Sequence, residues 1–161
     1  MKFDIDYKMF DKPLRQAIFN AQRRLNVKVG ILGANGKKGV KGKDGKTTEF
    51  TMASLGAVHE YGSINGDIPS RSFLRMPIDT RFLDELEANK GFKEAVKSLD
   101  VVKMNNEAGL TAKTVIDDAF DTGGWGDWKK LSDITVKRKG SDSILIDTGN
   151  LRRSITYEVL E

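Results

Sequence analysis

The chain has 161 residues, 39% apolar and 31% charged, a length and balance suited to one domain with its own core. It has no cysteine, so disulfide and thiolate chemistry are excluded, and its single histidine, His59, leaves an all-protein zinc site short of ligands. The net charge of +4 sits in one stretch: residues 33–48 hold Lys37, Lys38, Lys41, Lys43 and Lys46 against Asp44 alone. The remainder is balanced, and a protein-wide basic face for nucleic acid is not expected. No apolar run approaches the ~20 residues that span a bilayer, and the first residues lack the apolar core of a signal peptide. Both point to a protein that works in the cytoplasm without a membrane.

Phe10, Leu14, Ala17, Ile18, Ala21 and Leu25 recur at helical spacing, which predicts an amphipathic helix over 10–25. Val27 to Leu32 alternates and is β-branched, as a strand does. Glycine then falls at 33, 36, 39, 42 and 45. Collagen shares that period but needs abundant proline and many more triplets. Glycine and lysine without apolar residues do not offset ordering entropy, so a long, mobile, extended hairpin loop is expected here. Glu49-Phe50 begins a return strand. Thr51 can cap a helix that runs from Met52 to Tyr61, where Gly62 ends it. Residues 62–72 read as a loop, 72–83 as a helix with Ile78, Phe82 and Leu83 inward, and 92–99 as a second helical segment. The stretch 106–120 reads as a helix with Leu110, Val115, Ile116 and Phe120 on its core side. A glycine-rich break at 121–127 precedes the last third, where Ile144-Leu145-Ile146 reads as a strand, Gly149–Ser154 as a short cationic turn and 156–160 as a final strand. The expected fold is α+β: one domain with an antiparallel sheet of strands near 27–32, 47–51, 143–147 and 156–160, and helices on one face.

Several motifs invite a chemical reading and fail it. Gly42-Lys43-Asp44-Gly45-Lys46-Thr47 resembles the end of a phosphate-binding loop, but position 40 is Val40 and Thr47-Thr48-Glu49-Phe50 reads as a strand where that loop needs a helix. His59-Glu60 opens like a zinc-protease helix, whose second histidine is replaced by Ser63. Asp117, Asp118 and Asp121 cluster at a helix end, where a solvated face is the simpler account. Trp125 and Trp128 flank Gly126-Asp127, and tryptophans so placed serve either as core or as interface anchors. The lysines could meet phosphates, each adding a salt-dependent, sequence-blind increment. They equally suit a solubilising loop, since no aromatic residue is interleaved for base stacking. No catalytic set, cofactor motif or metal site emerges, and an enzyme is not expected.

Three blocks, in order, resemble the tail-completion and virion-morphogenesis proteins of long-tailed bacteriophages. The first is Ala57-Val58-His59-Glu60-Tyr61-Gly62, followed by Ile68-Pro69-Ser70-Arg71-Ser72-Phe73-Leu74-Arg75. The second runs from Trp128 to Thr135 and on to Lys137-Arg138-Lys139-Gly140, and the third is Ile144 to Gly149 with Leu151 and Ser154-Ile155. They cover residues 57–75 and 128–155. Ser72 stands where the family usually has a second proline, and the lysine loop belongs to no pattern shared with it. The resemblance implies a structural virion protein, a tail terminator whose ring of six subunits closes the head-proximal end of the tail tube. Such a ring stops tube polymerisation, meets the head connector and lets DNA pass through its lumen. A head-closure or minor neck protein is the nearest alternative, and a monomeric DNA-binding module using the lysine loop is one of another class. Arg71 and Arg75, expected one turn apart on a helix, together with Trp125, Trp128, Arg152 and Arg153, are the candidate intersubunit contacts. Lys37, Lys38, Lys41, Lys43 and Lys46 form the candidate DNA or partner loop.

Overall fold

The computed structural model describes residues 27–37, 39–41 and 47–160. Its elements are β1 (Val27–Gly30), α1 (Gly33–Lys37), β2 (Gly39–Lys41), β3 (Thr47–Thr51), α2 (Met52–Tyr61), α3 (Arg75–Ala88), α4 (Lys90–Lys97), α5 (Val101–Thr122), α6 (Asp133–Lys139), α7 (Asn150–Ser154) and β4 (Thr156–Val159). The chain is thus a mixture of helix and strand in which every described strand pairing is antiparallel. The helix expected over 10–25 lies outside the described residues. No helix among the described residues is long and apolar enough to cross a membrane.

Helix α5 organises the rest. Asp100 starts it by accepting a hydrogen bond from the Lys103 backbone N–H at 3.0 Å, and Gly123, in the left-handed region at φ 63°, ends it. Val101, Asn105, Gly109, Ala112, Ile116, Ala119 and Phe120 are buried along it at spacings of three and four, one stripe of a 3.6-residue helix. Leu110, expected inward, is exposed because it lies off that stripe, and Leu83 on α3 is exposed as well. Helices α3 and α4 and the β1–β4 ribbon all pack on α5.

The ribbon pairs Val27 with Val159, Lys28 with Glu158, Val29 with Tyr157 and Gly30 with Thr156. Alternation puts Val27, Val29, Tyr157 and Val159 on one face and Lys28 and Glu158, both exposed, on the other. Gly109 lets the ribbon sit close, since a Cβ there would lie 2.2 Å from Cδ2 of Tyr157.

Among the described residues, the strands form two two-stranded ribbons, β1–β4 and β2–β3, where one four-stranded sheet was expected. Residues 143–147 are not a strand: the segment turns, with Leu145 at φ 58°. Ile144, Leu145 and Ile146 all lie partly buried against the core, so the turn serves three consecutive apolar side chains where a strand would have pointed the middle one away. The stretch expected to be an extended loop holds helix α1 and strand β2. Gly36 lets helix α1 lie close to its surroundings, because a Cβ there would sit 3.1 Å from the Ile31 carbonyl oxygen and 3.5 Å from the Ala53 Cβ.

The core gathers Met52, Phe73, Ile116, Ala119, Phe120, Trp128, Leu151 and Ile155. Phe73 and Phe120 meet edge to face with centroids 5.4 Å apart, and Phe120 meets Trp128 at 5.8 Å and 88°. Phe73 is fully buried, worth about 1.5–3 kcal/mol of transfer free energy.

Candidate functional site

Glu60 joins two helices. It lies in the last turn of α2, is 4% exposed, and aims its carboxylate at the chain that opens α3. One oxygen accepts from the backbone N–H groups of Phe73 at 2.8 Å and Leu74 at 2.9 Å. The other accepts from the Arg75 N–H at 3.1 Å and the Ser72 hydroxyl at 2.5 Å. These are orphan donors of a helix N-terminus, where a negative charge is favoured. Ser72 Oγ also accepts from the Met76 N–H, in the first turn of α3, at 2.9 Å.

Arg71 precedes that helix rather than riding on it. Its residue is 6% exposed, and its guanidinium donates to the backbone carbonyls of Lys129 at 2.9 Å and Lys130 at 3.5 Å. Burial holds its pKa below the ordinary arginine value. The expectation that Arg71 reaches outward to a neighbouring subunit is therefore corrected: it ties the α2–α3 connection to the segment after Trp128. Arg75, at the start of α3, is exposed.

Trp128 is a core residue, 5% exposed, with Nε1 donating to the Ser72 carbonyl at 3.3 Å. Trp125 is half-buried, and the Arg81 guanidinium lies 5.1 Å from its ring centroid. Arg152 is half-buried and faces α5. It donates to Asp117 at 3.2 Å and to both oxygens of Asp121. The acidic cluster is thus in part the partner of an arginine. The hydrogen bond from Arg152 holds the Asp121 carboxyl below the usual carboxylate range, and the same bond raises Arg152. Arg153 is exposed and caps its own turn through Thr148 O and Asn150 Oδ1, both at 2.7 Å. Of the lysine loop, Lys37 closes α1 and Lys41 lies in β2, while Lys38, Lys43 and Lys46 fall outside the described residues.

Two surface features went unread in the sequence. The first is a cavity of about 520 Å³ between α2, α6 and the 145–151 turn. Met52, Leu55, Leu131 and Leu145 give it apolar walls, and Arg71, Arg138, Lys139 and Asp147 supply its charges. His59 also lines it, and Nδ1 of His59 is buried without a hydrogen-bond partner. Burial first, then the charges of Arg71 and Lys139, lowers the His59 pKa from its ordinary 6.5. The second is the loop after α2, which presents Ile64 to solvent. Among the described residues no group of three His, Cys, Asp or Glu is placed to hold a metal ion.

No protein-family model, curated protein or solved structure matches this chain.

Proposed function

We propose that this chain is a structural component of a bacteriophage tail, a terminator that closes the head-proximal end of the tail tube and joins it to the head connector. The observation that carries the reading is the convergence of the three sequence blocks. Glu60, Arg71 and Phe73 from the first, Trp128 and the Lys129–Lys130 carbonyls from the second, and Leu151 and Ile155 from the third meet in one contiguous unit. The first block lies more than 50 residues before the other two, which are near neighbours in the chain, so its meeting with them is not a local consequence of sequence. Their meeting supports treating them as one inherited signature. The rest of the reading comes from the resemblance: a ring of subunits, a tube protein below, a connector protein above and DNA passing through the lumen. A ring requires a head-to-tail contact that closes after a full rotation.

The test is electron microscopy of lysates from the phage that encodes the chain, with and without its gene. Loss of the gene is expected to give tubes of uncontrolled length, unattached to heads. Tails of normal length without heads would move the role to head closure. Normal infectious particles would overturn the reading.

A further inference from the structure

Asparagine is followed by glycine twice in this chain, at Asn35-Gly36 and at Asn65-Gly66. In such a pair the backbone nitrogen of the glycine can attack the asparagine side chain. No glycine side chain bars the approach, and the reacting atoms are held together in one short segment. The fold treats the two pairs differently. Asn35 lies inside α1 and Gly36 is buried, with the Ile31 carbonyl oxygen and the Ala53 Cβ close to where a Cβ at Gly36 would sit. Turning the Gly36 nitrogen toward the Asn35 side chain requires α1 to open.

Asn65 and Gly66 are both exposed in the α2–α3 connection. Gly66 has a φ of 78°, and nothing lies within 4 Å of where its Cβ would sit. Its N–H donates to the Ser63 carbonyl at 3.0 Å, a turn bond at the surface of the kind that opens locally without global unfolding. The Asn65 side chain is also held for attack. The Asp67 backbone N–H lies 3.4 Å from Asn65 Oδ1, the atom that takes on negative charge when Cγ is attacked, so a donor is in place for it. The Asp67 carboxylate holds the same amide from its other end, accepting from Nδ2.

We propose that Asn65-Gly66 is a self-modification site of the folded chain, with water as its only co-reactant. The Gly66 nitrogen loses its proton to solvent and bonds to Asn65 Cγ. The Cγ–Nδ2 bond breaks, and Nδ2 takes a proton from solvent and leaves as ammonia. A succinimide ring remains. Water then opens it at one of two carbonyls. Breaking the new Cγ–N bond gives aspartate on the original backbone. Breaking the Asn65 C–N bond gives isoaspartate, with the backbone running through the side chain. One water enters, one ammonia leaves, and nothing is oxidised or reduced. Either product puts a carboxylate beside that of Asp67 in place of the amide donor, so a bond that braces the loop becomes a repulsion between like charges. The site stands independently of the virion reading.

The test uses the full chain in mildly alkaline buffer, folded and in urea, incubated until Asn35 in the urea sample is largely converted. Peptide mass mapping reads each asparagine. The ratio of folded to urea rate is expected to be at least about tenfold higher for Asn65 than for Asn35, because only α1 must be broken to react. An Asn65 that stays intact in the folded chain, or is protected as well as Asn35, overturns the site. Isoaspartate is expected among the products at position 65; aspartate alone overturns attack by the Gly66 nitrogen in favour of direct hydrolysis. The consequence is read on Asn65→Asp by chymotrypsin, which cuts after Tyr61, 70% exposed at the start of the loop. Cleavage several-fold faster than in the unmodified chain is expected, since proteolysis follows the population of the opened loop. An unchanged rate overturns the loss of the brace.

Discussion

The Glu60 carboxylate satisfies three backbone N–H groups and one hydroxyl from a buried position, so its charge and its geometry both matter. In Glu60→Gln the amide places an NH₂ group where an acceptor is required, leaving buried donors unpaired. A hydrogen bond to a charged group is worth about 1.5–3 kcal/mol, and an orphaned buried donor costs a similar amount. Glu60→Gln is therefore expected to lower unfolding stability by about 2–3 kcal/mol in urea titrations, and a loss under about 0.5 kcal/mol would refute the capping role. Arg152 is a weaker case, because Asp121 is exposed and solvent screens the pair. Arg152→Ala is expected to cost about 1 kcal/mol in low salt and less in high salt. Arg152→Lys recovers only part of that loss, since an ammonium does not reproduce the two-pronged contact with Asp121. An effect indifferent to salt would assign Arg152 a packing role instead.

At the level of elements, the close seat of the β1–β4 ribbon on α5 depends on Gly109. Alanine favours a helix interior over glycine by about 1 kcal/mol, but the added methyl would lie 2.2 Å from the Tyr157 ring. The ring is held in a paired strand, so overpacking wins, and Gly109→Ala is expected to destabilise by about 1–2 kcal/mol. In a Tyr157→Ala background the clash is gone and the same substitution is expected to stabilise. A double-mutant cycle that shows no change of sign would refute this account. How far each element is legible in the sequence depends on where its determinants lie. Helix α2 can be read because Thr51 and Gly62, its cap and its stop, are adjacent to it, and Thr51 Oγ1 does accept from the Ser54 N–H at 3.1 Å. The Ile144-Leu145-Ile146 run misleads because a short apolar run looks alike in a strand and in a buried turn. Arg71 passes for an outward contact because its partners are carbonyls of Lys129 and Lys130, and a backbone oxygen leaves no mark in residue type. The cavity is invisible for a related reason, since its walls are assembled from segments far apart in the chain.

For the molecule as a whole, His59 sets an acid limit. Its imidazole takes up a proton less readily when folded than at its ordinary pKa of 6.5, because burial and the charges of Arg71 and Lys139 oppose the cation. Above that pH both folded and unfolded chains hold it neutral. As the pH falls below it, the unfolded chain binds the proton first, so stability falls with acidification. Urea midpoints are expected to be level from about pH 8 to 7 and to decline toward about pH 5, with the decline reduced in His59→Gln. An equal slope in that variant would assign the effect to other groups; Asp121, whose pKa is lowered by Arg152, acts in the lower carboxylate range. The ribbon has a consequence in time as well. Val27 pairs with Val159, and residues emerge from a ribosome at about 5–20 per second, so β1 waits roughly 6–25 s for β4. Throughout that interval the Val27–Gly30 edge is open to any other strand in the cell. The last contact this domain makes is thus between its earliest and latest described strands, and a chaperone that holds nascent chains has its natural point of action there.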